Sequence, residues 1–264
     1  MSKIITFGTL KGGTGKTTAV FSSSGILSER GYKVLVIDAD PQGNVTSNLG
    51  VDETKQGYLC IKDILEKDYL IPEDVVIKAP LIELPNLDLI GSSMTLTSTE
   101  MNIISLTGRE YLLRKYIKKH NKFFNQYDFI LIDTNPSMSI INQNSFIASD
   151  KIIIVSDLGV NSLKGIELFI ALWEDILLRL DMKNNICGIL INKVIKHSHI
   201  SNEFMEYCKE EEDINKLLFK TCISDSEILP ICELDNKPIN ISYKGTEVYG
   251  EFSAFVDELL ERVK

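Results

Sequence analysis

Apolar residues along this chain follow two rhythms. Some stand in short, nearly unbroken runs: Val34-Leu35-Val36-Ile37-Asp38, Phe129-Ile130-Leu131-Ile132-Asp133, Lys151-Ile152-Ile153-Ile154-Val155 and Gly188-Ile189-Leu190-Ile191-Asn192. Such runs lack the in-out alternation of a half-exposed strand and mark strands covered on both faces, as in a parallel sheet. Elsewhere apolar residues recur every three or four positions, the spacing of a helix with one buried stripe. The pattern predicts strands over 4–8, 33–38, 87–91, 127–133, 151–156 and 186–191, helices over 16–30, 110–122 and 162–180, and a short helix near 61–67. Strand and helix alternate, so the expected fold class is α/β: a doubly wound, mainly parallel sheet flanked by helices. The last stretch, 246–264, sets Val248, Phe252, Phe255, Val256, Leu259, Leu260 and Val263 at helical spacing and is expected to close the fold against the sheet.

The length of 264 residues is within reach of one α/β domain, and no repeat, low-complexity tract or linker divides it, so 1–264 is read as a single domain. Lys and Arg total 28 against 37 Asp and Glu, a net charge of −9, so contact with DNA or anionic lipid would need a local basic patch against an unfavourable overall field. The five cysteines, at 60, 187, 208, 222 and 232, form no C-x-x-C pair and no zinc-ligand spacing, and are read as packing residues in a reducing compartment. Without a leader pattern or an apolar stretch of about 20 residues, the expected location is cytoplasmic.

Chemistry enters with Leu10-Lys11-Gly12-Gly13-Thr14-Gly15-Lys16-Thr17-Thr18, between the first strand and the first helix. Glycines let backbone N–H groups turn inward, and the helix N-terminus adds its positive end, so the loop can cradle a polyphosphate. Lys16 is placed to reach the β- and γ-phosphates, Thr17 to offer its hydroxyl to Mg²⁺, and Thr18 to reach the α-phosphate. The strict G-x-x-x-x-G-K-[ST] pattern fails because Leu10 stands where its first glycine belongs; a second lysine, Lys11, precedes a double glycine instead. Two further runs end in carboxylates at the C-terminal ends of buried strands, where doubly wound sheets hold their sites: Asp38-Ala39-Asp40-Pro41-Gln42-Gly43-Asn44 and Asp133-Thr134-Asn135-Pro136-Ser137. One carboxylate of Asp38 and Asp40 can hold a metal-bound water and the other can orient an attacking water, while Asp133 has the Walker B placement that orders the Mg²⁺ shell.

K-G-G-x-G-K-T-T resembles the deviant Walker A motif of the ParA/MinD family of P-loop ATPases, and D-x-D-P-Q-G-N is similar to a segment of its small, Soj-like partition members. The resemblance implies ATP and Mg²⁺ as ligands, with Gly12, Gly13, Thr14, Gly15, Lys16, Thr17, Thr18 and Asn192 at the nucleotide and Thr17, Asp38 and Asp133 at the metal. It gives Asp40 the hydrolytic role and makes Asn192 the reader of the adenine edge. Phe219-Lys220-Thr221 and Lys237-Pro238-Ile239 resemble the family's base-covering segment and G-K-P-I region, with Asn236 in place of the glycine. Asn135 stands where relatives more often carry the first of two prolines.

By the same resemblance Lys11 reaches the nucleotide of a second subunit, so an ATP-bound homodimer forms face to face, with Gly12 in the contact, and hydrolysis releases it. Small partition ATPases of this kind bind DNA without sequence preference as dimers, associate with the nucleoid, and are released by a centromere-binding, ParB-like partner that stimulates slow hydrolysis. Two basic clusters could neutralise phosphates: Lys193, Lys196, His197 and His199, with Lys216 and Lys220 near, or Arg109, Arg114, Lys115, Lys118, Lys119 and Lys122. The alternative is a MinD-like membrane-positioning ATPase, which calls for a basic amphipathic tail; acidic residues outnumber basic ones over 247–264, so no membrane contact is expected. An electron carrier of the nitrogenase-reductase kind would need cluster-ligating cysteines, and none lies between Cys60 and Cys187.

Overall fold

The structure, a computed structural model, describes residues 2–159, 161–196 and 198–264. Six strands form one sheet: β1 (Lys3–Gly8), β2 (Val34–Ala39), β3 (Leu87–Ile90), β4 (Phe129–Thr134), β5 (Lys151–Ser156) and β6 (Ile186–Ile191). Their order is β3-β2-β4-β1-β5-β6, and every neighbouring pair is parallel. Alternation within each run sends successive side chains to opposite faces. Ile5, Phe7, Val34, Val36, Leu131, Ile153 and Val155 pack on one face against α1 (Lys16–Glu29) and the Glu247–Arg262 helix. Ile4, Leu35, Ile37, Ile130 and Ile132 pack on the other, against the Ile61–Glu66 and Leu112–Lys119 helices. A third cluster joins Ile152, Ile154, Ile189 and Ile191 to Phe146 and to Phe169 and Trp173 of the Ser162–Leu180 helix. Both faces are therefore covered, as the unbroken apolar runs require.

The expected 110–122 helix is broken. A 3₁₀ turn over Arg109–Tyr111 leads into Leu112–Lys119, and His120 (φ −108°, ψ 32°) separates it from Asn121–Phe124. The break lets Phe124 bury its ring 5.9 Å from that of Tyr116, and brings Phe123 to 6.1 Å from Tyr127. Several helices lay beyond the periodicity, among them Ile140–Ala148, His199–Glu210 and Ile228–Leu234.

The Glu247–Arg262 helix starts where the Thr246 side chain accepts from Tyr249 N, and it buries Val248, Phe252, Phe255, Val256 and Leu259. Its apolar stripe is thus spent inside the fold. Among the described residues no helix is long and apolar enough to cross a membrane.

A nucleotide cavity at the strand ends

A cavity of about 540 Å³ opens where β1, β2, β4 and β6 end; its walls include residues 11–18, Asp40, Pro136, Asn192 and Glu233. The loop after β1 turns through Gly13 (φ 78°) and Gly15 (φ 80°), both left-handed, before α1 begins at Lys16. A Cβ on Gly15 would also lie 2.1 Å from Asn192 Nδ2, so only glycine fits there. Asn192 Nδ2 donates to Thr14 O at 2.8 Å, and its Oδ1 accepts from Lys193 N at 2.9 Å. In this pose the amide ties the loop to the end of β6, a bracing role the residue pattern did not suggest, alongside its expected place at the nucleotide.

Lys16, 6% exposed, donates from Nζ to Asp133 Oδ1 at 2.8 Å, and Thr17 Oγ1 donates to Asp133 Oδ2 at 2.7 Å. Asp38 pairs in register with Asp133 across β2 and β4. It is fully buried; Oδ1 accepts from Asp40 N, and Oδ2 from the backbone and hydroxyl of Thr46. Burial and the charge of Asp133 push its pKa up to about 7, against the Thr46 and Asp40 hydrogen bonds. Asp40 lines the cavity, where its Oδ1 accepts from Gln42 N at 2.9 Å, and burial raises its pKa too. The two carboxylates of D-x-D thus differ: one is consumed by the chain, and the other faces the space.

After Asp133, Asn142 takes over the stiffening that a second proline would supply. Its Nδ2 lies 2.8 Å from both Asn135 O and Asn135 Oδ1, and 2.7 Å from Ser137 O. Lys11 does not project freely. Its Nζ donates to both carboxylate oxygens of Asp157, each at 2.8 Å, and to Ser162 Oγ at 3.3 Å. Burial would raise the Asp157 pKa, but the hydrogen bonds from Lys11 and Ser162 outweigh it and hold the carboxyl below its ordinary value. A Cβ on Gly12 would meet nothing of its own chain closer than 3.9 Å, so any clash there needs a second molecule.

The AAA domain family model matches residues 2–187. The chain is 30% identical over 253 residues to the sporulation initiation inhibitor protein Soj of Bacillus subtilis, covering 94% of this chain and 96% of that one. It is 27% identical over 202 residues to the chromosome partitioning protein ParA of Caulobacter vibrioides, covering 76% and 73%. Among solved structures, an AMPPNP-bound plasmid partition protein from Borrelia burgdorferi B31 superposes with a TM-score of 0.80 at 26% identity, covering 99% of this chain and 100% of that one. This chain belongs to the AAA domain family, as a P-loop ATPase of the ParA/MinD type.

ATP is the ligand of this ATPase, and the cavity has room for a divalent ion beside it. Thr14 Oγ1 is buried in the loop without a partner. Lys16 pairs with Asp133 alone, and Asp38, its neighbour in the sheet, has no cation of its own among the described residues, which leaves a second carboxyl group for a divalent ion to balance. No cluster of three or more His, Cys, Asp or Glu that could hold a metal ion occurs among the described residues.

The expected base-covering stretch needs correction. Phe219 is buried, its ring 4.9 Å from Phe255 and stacked under Arg262, while the cavity wall after β6 comes from Asp225, Ser226, Leu229, Pro230 and Glu233. Asn236 adopts φ 53°, so asparagine here fills a left-handed position usually given to glycine. The residue pattern missed Asp157, Ser162, Asn142 and Glu233. Asp157 had a signal: it follows β5 at the same sheet edge as Asp38 and Asp133.

The basic clusters also separate. Lys196 pairs with Glu247 and Glu251, Lys216 with Glu212, and His199 lies 3.3 Å from Glu203; His197 lies outside the described residues. Arg114 and Lys118 border a different cavity, with Ile4 and Asp150, at the opposite end of the sheet. Among the described residues neither they nor Lys115 and Lys122 have a carboxylate partner.

Proposed function

We propose that residues 1–264 act as one DNA partition ATPase whose ATP-bound form is a homodimer. Lys16 and the amides of residues 12–18 hold the triphosphate. Thr17, with Asp133 and, behind it, Asp38, would hold Mg²⁺, which would supply charge neutralisation for the triphosphate. Asp40, the carboxylate of D-x-D that borders the cavity, orients the attacking water. Asn192 lies against the base. Lys11 leaves Asp157 and crosses to the partner's nucleotide.

The observation that carries this reading is the division between two lysines. Lys16 is committed to Asp133 on the cavity floor, whereas Lys11 stands at the mouth, 40% exposed, on a separate pair. An ion pair that exposed contributes at most about 1 kcal/mol, so a γ-phosphate across an interface can compete for Lys11. The dimer then lasts only while that phosphate remains. Hydrolysis is slow until a centromere-bound, ParB-like partner accelerates it.

The dimer binds DNA without sequence preference in the cytoplasm, at the nucleoid. Lys193 follows β6 on the nucleotide edge, so two copies joined there would bring their Lys193 side chains together, which makes DNA binding depend on ATP. The Arg114–Lys118 cluster, at the other end, would bind without such dependence. A membrane role finds no support in the Glu247–Arg262 helix, whose apolar stripe is buried. The test is a low-salt mobility-shift assay. ATP-dependent retardation that Lys193→Glu weakens is expected; no ATP-dependent retardation of the unmodified protein overturns the DNA reading.

A further inference from the structure

The two ends of the cavity present different groups. Lys16 and the N–H groups that open α1 offer donors to a polyanion at one end, while Asp225 and Glu233 put two carboxylates into the wall of the other. A carboxylate facing a site for a polyanion is repulsive unless the ligand presents a hydrogen-bond donor to it. On ATP the donors are the ribose hydroxyls and the adenine amine.

Position along α1 decides between them. Lys16 opens the helix at the β- and γ-phosphates, and Thr18, two residues on, faces the α-phosphate. Thr18 Oγ1 donates to Glu233 Oε1, so this carboxylate is fixed one step past the α-phosphate, where the sugar of a nucleotide lies. Glu233 sits on the Ile228–Leu234 helix one turn after Leu229 and Pro230, and these three line the cavity together. Asp225 belongs to the other side: its N–H donates to Val194 O at 3.0 Å, beside Asn192 and Lys193, which places it with the base.

We infer that Glu233 is a specificity-determining residue that accepts a hydrogen bond from a ribose hydroxyl, so that this ATPase discriminates ribonucleotides from deoxyribonucleotides. Thr18 holds the carboxylate in place before the nucleotide arrives, and the apolar pair Leu229 and Pro230 flanks the sugar and base.

Calorimetric titration of the full chain with ATP, 2′-deoxyATP and 3′-deoxyATP in Mg²⁺ tests this without relying on turnover. The unmodified protein is expected to bind ATP about tenfold or more tighter than at least one deoxy form, the value of a hydrogen bond to a charged group. In Glu233→Gln, a near-isosteric change, ATP should weaken toward the affinity of that deoxy form, which itself should hardly move. Equal affinities for all three nucleotides in the unmodified protein would overturn the inference without any variant. So would a Glu233→Gln protein that shifts ATP and both deoxy forms by the same factor, because that is the signature of a residue which only props Thr18.

Discussion

The two ends of the nucleotide cavity are built on different principles. The phosphate end comes from strand termini and the first turn of α1: Asp38 and Asp133 are fully buried, and Lys16 is nearly so. The opposite end comes from segments after β6, with Glu233 on a short helix, Asp225 ahead of that helix, and Lys193 in a left-handed conformation at φ 57°. The rigid end must recognise a charge pattern common to all nucleoside triphosphates. The other end is where this chain can differ from its relatives in what it accepts. Removing a buried, paired charge strands its partner, whereas altering Glu233 at the cavity wall changes what the ligand meets and releases the Thr18 hydroxyl.

The largest effect should follow Lys16→Ala. It removes the cation from both phosphate and Asp133, so ATP affinity should fall at least 100-fold and stability by about 3–5 kcal/mol from the uncompensated buried carboxylate. Calorimetric titration and thermal melting read the two losses, and near-normal ATP affinity would deny that the phosphate end is the anchor. Asp40→Ala should leave ATP affinity within a few-fold and slow phosphate release by about 100-fold. The variant should then accumulate as an ATP-bound dimer; monomer release as fast as in the unmodified protein, followed by light scattering, would argue against the assignment.

The mouth of the cavity should respond more gently. Lys11→Ala is expected to bind ATP as a monomer yet fail to dimerise. Asp157→Asn, by freeing Lys11, should let the dimer form at about two- to fivefold lower protein concentration, the size of a partly exposed ion pair. Dimerisation by the Lys11 variant would remove that lysine from the interface.

Legibility followed the same division. Asp38 and Asp133 could be named in advance because a covered strand announces itself by an unbroken apolar run and its end marks the site, and Lys16 and Thr17 because they follow a glycine-rich turn between strand and helix. Asp157, after Ile152-Ile153-Ile154-Val155-Ser156, satisfies the same strand-end rule yet was missed, because the partner it serves, Lys11, is 146 positions away. Glu233 had no such mark, being one acidic residue in the seven-residue helix Ile228–Leu234. Phe219-Lys220-Thr221 misled because its likeness to the family's base-covering segment carried no sign that Phe219 packs inside the fold against Phe255. Helix Ile140–Ala148 escaped because Asn142, Asn144 and Ser145 face inward, where their hydrogen bonds replace the apolar stripe that periodicity looks for.

By itself, then, the order of residues determined the sheet, its covered faces and the loop that receives phosphates, since each depends on local periodicity or on neighbours a few positions apart. Tertiary structure decided which carboxylate of D-x-D meets the cavity, that Lys11 rests on Asp157, that Asn142 restrains the loop after Asp133, and that Glu233 stands beside Thr18. These pairings join residues up to 215 positions apart, and competition among donors for a limited set of acceptors is settled only once the chain has closed on itself.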